Sequence, residues 1–152
     1  MRRLIATIAL LLATTGVSAQ TTERAADAAA LDVLTTAAGL AMGAAEANPV
    51  GLLTLPGKLI ALDYAQGLPT GEREHALSVI SAVWRGAAAN NLCIVVAIAT
   101  GGAFGPACAV AGLAVALREW ESTAIERQFW AVCAWHRQTQ PDLKCTYITT
   151  PA

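Results

Sequence analysis

The sequence predicts an all-α protein: a compact bundle of four to five short helices behind a cleaved signal peptide, with a C-terminal amphipathic tail helix. Three observations predict it. Alanine is abundant and strand-like alternation is sparse, which makes helix the default local state. Glycine- and proline-containing breaks recur at intervals that leave helix-length segments between them. Four cysteines, all downstream of the leader, offer two cross-links to a small domain.

The elements follow in order. Arg2 and Arg3 precede the apolar stretch Leu4 to Ala13, and Val17-Ser18-Ala19 supplies small residues for cleavage. This three-part layout marks residues 1–19 as a signal peptide and places the mature start near Gln20. An uncleaved membrane helix is the alternative, but its apolar core is short of the roughly twenty residues a span needs. Residues 20–121 then form a helical domain, read as membrane-embedded, and residues 122–152 form a disulfide-closed tail. Asn48-Pro49 ends a first helix of about 23–47, and Gly67-Leu68-Pro69 ends a second of about 51–66. Gly101-Gly102 and Gly105-Pro106 separate a third helix, about 71–99, from a fourth, about 106–121. Pro141 closes a fifth, about 123–138. Thr70 is an N-cap candidate, and Thr123-Ala124-Ile125-Glu126 fits a capping box.

Charge and cysteine usage narrow the function classes. A formal net charge of −1 with no basic stripe excludes a nucleic-acid surface. An even cysteine count in an exported chain favours disulfides over metal ligation, with free buried cysteines as the alternative. Of three pairings, Cys93–Cys108 and Cys133–Cys145 are preferred, because each pair flanks a turn signal. No cofactor or metal is implied.

A membrane location is supported by the absence of charge from Gly86 to Leu117, a run broken in its middle as an apolar helical hairpin would be. Two features oppose it. Asp32 and Glu46 fall within one would-be span, at about 2.5–3.5 kcal/mol per charge near the bilayer centre. Arg118, Arg127, Arg137 and Lys144 would lie outside, against the positive-inside rule. The expectation is an inner-membrane protein of four short spans with a periplasmic tail, acting as an interaction or accessory component. The rivals are a soluble periplasmic or secreted bundle that binds a partner or apolar ligand, and an intramembrane enzyme or transporter element.

One polar constellation stands out. At about 100° per residue, Asp32, Thr36, Gly39, Gly43 and Glu46 fall within roughly 80° on the first helix. Gly39 and Gly43 form a G-x-x-x-G step for close helix packing. The face runs into Asn48-Pro49, the second helix adds Lys58 and Asp63, and the third adds Asn90 and Asn91. Asp32-x3-Thr36, Gly43-x2-Glu46-x-Asn48-Pro49, Lys58 and an asparagine at 90 or 91 resemble the signature of an uncharacterised family of small polytopic membrane proteins, over residues 30–95. The resemblance implies a compact intramembrane helical domain with convergent polar residues, and no known reaction. Lys58 is positioned to neutralise Asp32 or Glu46, with Asn90 or Asn91 bonding the remaining lone pairs. That arrangement suits either an ion, proton or ligand site using Asp32, Glu46 and Lys58, or a polar clamp that fixes helix register.

Other candidates are weaker. His75 reads as a solvated surface residue, and His136 as a helix C-terminal cation without a second metal ligand. Trp84-Arg85 fits an interface belt or an ordinary polar helix face. Gly101–Gly105 lacks a phosphate-loop lysine, and neither G-x-S-x-G nor H-E-x-x-H occurs. The tail helix carries an apolar stripe of Leu117, Trp120, Ala124, Ile125, Phe129 and Val132. It is expected to dock on its own domain, a membrane surface or a protein partner, with Trp120, Phe129, Trp130 and Trp135 as anchors.

Overall fold

The computed structural model describes residues 21–43, 54–102 and 105–147, and these fold into five helices: α1 Thr21–Ala41, α2 Thr54–Gly67, α3 Thr70–Thr100, α4 Gly105–Ser122 and α5 Ala124–Arg137. The expected leader at 1–19, together with Glu46 and Asn48, lies outside the described residues.

Helix α3 is the spine. Its 31 residues span about 46 Å at 1.5 Å per residue. Pro69 sits at its N-cap without a side-chain capping bond, which Thr70 was expected to supply. Thr70 lies inside the helix instead, where its hydroxyl accepts from Arg137 at 3.4 Å. The C-terminus follows the glycine signal: Gly101 adopts φ 70°, and the N–H groups of Gly101 and Gly102 return to the carbonyls of Ile98 and Ala97. This pattern satisfies carbonyls that the helix end would leave without partners.

Four helices lie along the spine. Ser81 contacts Arg24, while Asn91 contacts Asp32 and Thr36, so α1 runs parallel to α3. Helix α4 runs antiparallel along the C-terminal half, joined by the Cys93–Cys108 disulfide. Helix α5 continues along the N-terminal half, where Gly71 lies against Trp130 and Ala134. Helix α2 covers α1 and α3 through a small apolar cluster of Ala25, Ala65 and Leu77, flanked by Leu62, Ala76 and Ile80.

Three local expectations are corrected. The first helix ends at Ala41 and not near 47, because Gly43 takes φ 82° and Met42 and Gly43 close the last turn with bonds to Gly39 and Leu40. Gly43 therefore leaves the helical face, and a side chain built there would meet nothing within 4 Å. Gly39 is buried in α1. The closest glycine-mediated approach is between α3 and α4 instead. A Cβ on Gly86 would lie 2.8 Å from the Gly112 carbonyl oxygen, and one on Gly112 would lie 2.7 Å from that of Gly86. Only glycine lets the two backbones touch there.

The capping box also does not form. Thr123 donates back to the Trp120 carbonyl at 3.0 Å, and the Glu126 carboxylate accepts from Thr21 at 2.6 Å. Thr123 breaks the phase between α4 and α5, so the predicted tail stripe does not continue across it. Ile125 and Val132 are exposed, and the packed side of α5 is formed around Trp130, Cys133 and Ala134. The Cys133–Cys145 disulfide folds the following segment back, where Arg137 donates to the Leu143 carbonyl at 2.9 Å and Tyr147 meets Phe129.

Candidate functional site

The expected polar residues meet around Asp32. Helix α1 buries this carboxylate against α2 and α3. Lys58 on α2 brings its Nζ to 2.5 Å from Oδ2, while Asn91 on α3 donates to Oδ1 at 2.9 Å. The second Asn91 N–H reaches Thr36 Oγ1, also at 2.9 Å. Asp32 is 8% exposed and Lys58 is 5% exposed. Both carboxylate oxygens thus have partners, and the Lys58 ammonium also sits 5.7 Å from the Trp84 ring centroid. A paired, hydrogen-bonded charge can be held away from water, whereas removal of one partner leaves a costly isolated charge.

This cluster has the chemistry of a clamp joining three helices. The amide and ammonium donors face one carboxylate, and Thr36 terminates the chain of bonds. Among the described residues, no three histidine, cysteine or acidic side chains group as a metal site. Asn90 lies beside the α3–α4 crossing, where its Cβ would be 3.0 Å from a side chain at Gly112. Asp63 is exposed on α2 and takes no part.

A second network, not assembled from the sequence, lies further toward the N-terminus of α3. Glu119 on α4 accepts from Ser81 at 2.8 Å and pairs with Arg85 at 3.3 Å and Arg24 at 3.8 Å, all through Oε1. Ser81 and Ser78 are almost fully buried, and Glu74 is 8% exposed. Glu74, Ser78, Ser81 and Arg85 recur at helical spacing, a periodic polar stripe that was available as a signal. Its partners on α1 and α4 have no such signal, since they are far away along the chain.

The tail aromatics are mostly occupied within the chain. Trp120 packs edge-on to exposed His75 and lies 3.4 Å beneath the Arg127 guanidinium. Burial lowers the pKa of Arg127 below its ordinary value. Arg127 also donates to the Trp120 carbonyl at 2.6 Å and to Thr123 Oγ1, which pins the α4–α5 corner. Phe129 contacts Trp130 and Tyr147. Trp135, stacked edge-on with His136, is the exposed member of the four.

The two networks divide the bundle lengthwise. Beyond Arg85 on α3 and Arg118 on α4, the two helices carry no charge, while Leu34, Leu59, Ile60, Val110 and Leu113 face outward. The fully buried larger side chains across the bundle include Thr21, Thr123, Cys108, Ser78 and Ser81 alongside Leu77. Compared with protein-family models, with curated proteins and with solved structures, the chain matches none.

Proposed function

We propose that the protein is a small exported membrane protein, an interaction or accessory component and not an enzyme, whose apolar half lies in a lipid layer. The observation that carries this reading is the inverted burial of that half. Large aliphatic side chains face outward on α1, α2 and α4, while alanine, glycine and the Asp32–Lys58–Asn91 cluster lie within. In water, aliphatic surface is unfavourable where such side chains adjoin. In lipid it is the ordinary outer face, and helices associate through small residues and polar contacts. Helix α3 is long and apolar enough to cross a membrane. The Asp-x3-Thr, lysine and asparagine pattern belongs to this reading as a clamp that fixes register among α1, α2 and α3.

A soluble exported bundle is the second reading. It is favoured by the two disulfides and by α3 being the one described helix that meets the length and apolarity of a span. There the same outward aliphatic surface would be covered by a protein partner or an apolar ligand. Fractionation tests the choice. The mature chain is expected in the membrane fraction, released by detergent and retained through osmotic shock; recovery in the aqueous shock fluid without detergent overturns the membrane reading.

A further inference from the structure

We infer that the groove between α1 and α4 binds one acyl chain of an anionic phospholipid, with Arg85 on the headgroup phosphate; this rests on the membrane reading above. The groove has a structural cause. Both α1 and α4 pack on α3, but their backbones do not pack on each other. Among the described residues, the Arg24 side chain reaches across, to Ser122 at 3.2 Å and Glu119. The floor is therefore α3, where the small side chains of Ala88 and Ala89 leave space. Leu31, Ala88, Ala89, Leu92 and Val115 enclose a cavity of about 310 Å³ with Arg85 as its one charged lining residue. That volume is at the lower end for ligand pockets and suits a slender apolar chain.

Arg85 gives the groove polarity. Its Nε is buried and makes no hydrogen bond of good geometry, although Glu119 Oε1 lies 3.3 Å away. That oxygen is already shared with Ser81 and Arg24. The buried Nε is closed to a ligand, but the remaining guanidinium N–H groups, on a side chain 17% exposed, match a phosphate, which accepts from several N–H groups at once. Its level in the bundle matches as well. Arg85 stands where the charge-free stretch of α3 begins, so an anion there would sit at the rim of the apolar half with its chain running down beside Ala88, Ala89 and Leu92.

The test uses the full mature chain in nanodiscs that contain equal dioleoylphosphatidylglycerol and dioleoylphosphatidylcholine, followed by release and native mass spectrometry of retained lipid. The wild type is expected to retain phosphatidylglycerol about tenfold over phosphatidylcholine, the scale of one charge-assisted contact, because the choline ammonium already neutralises the phosphate that Arg85 would meet. Arg85→Gln should bring that ratio to about one. Because Arg85 also pairs with Glu119, Ala89→Trp provides a variant that leaves the ion pair intact and fills the groove; it should reduce retention of both lipids. Glu119→Gln removes the competing carboxylate and should raise the phosphatidylglycerol ratio. Equal retention of both lipids by the wild type, or an unchanged ratio in Arg85→Gln, overturns the inference while membrane fractionation stands. Binding of free oleate to detergent-free protein, with no phospholipid retained, overturns the assignment to a phospholipid. Recovery of the chain in aqueous shock fluid overturns the membrane reading itself.

Discussion

The two halves of this bundle are held by different means. In the half built from the start of α1, the first part of α3 and α5, polar contacts each keep at least one partly exposed member: Thr21 with Glu126, Arg73 with Glu74, and Arg127 with Trp120. Around the latter part of α3, one charged pair is enclosed by small residues, and the outward side chains are aliphatic. A contact with a partly exposed member can recover water when broken, but an enclosed pair cannot. The same kind of contact therefore carries very different consequences in the two halves.

The largest predicted effect comes from the enclosed pair. Lys58→Met leaves the Asp32 carboxylate buried with only Asn91 to satisfy it, and is expected to destabilise the fold by about 3–5 kcal/mol. Thermal unfolding of the purified protein measures the loss. The double variant Asp32→Leu/Lys58→Met should recover most of it, since two matched apolar side chains remove the isolated charge. Failure of the double variant to recover would assign the cluster a role beyond clamping.

Next in size is the α3–α4 hairpin. Cys93→Ser/Cys108→Ser opens a loop of sequence separation 15, and chain-entropy arguments set the loss at about 3 kcal/mol. Reduction should weaken the hairpin comparably in unfolding experiments. Gly112→Ala, whose new methyl would lie 2.7 Å from the Gly86 carbonyl oxygen, should cost about 1–3 kcal/mol by forcing the helices apart. Gly43→Ala meets no steric neighbour but must adopt positive φ, so any loss there reports backbone strain at the end of α1.

The smallest effects sharpen the comparison from outside. Ile125→Gln, on the exposed side of α5, should change stability by no more than about 0.5 kcal/mol. Leu113→Lys, equally outward but in the apolar half, is expected to move protein from the membrane to the aqueous fraction after fractionation. If both substitutions behave alike, the aliphatic surface of that half does not face lipid.

Much of the fold was legible from local signals. Gly67-Leu68-Pro69 and Gly101-Gly102 mark helix ends because they alter backbone conformation wherever they occur, independent of distant contacts. The meeting of Asp32, Lys58 and Asn91 was also approachable, since opposite charges in apolar segments have few ways of avoiding isolation. The choice of Asn91 over Asn90, and the separation of Gly43 from the face of Gly39, depended on where α1 stopped and how α3 was rotated. Thr123 and Glu126 had the spacing of a capping box, but a threonine more than a hundred positions earlier supplied the stronger partner for Glu126.

By itself, the sequence determined the all-helical character, most helix boundaries and which residues would need polar partners, because these depend on propensity, backbone restriction and the cost of an unpaired charge. Only the tertiary structure decided that Gly86 and Gly112 form the close crossing, that Ser81, Arg85 and Arg24 converge on Glu119, and that a groove remains between α1 and α4. Those features depend on helix rotation and on the sum of packing across the bundle, quantities that no local stretch of residues contains.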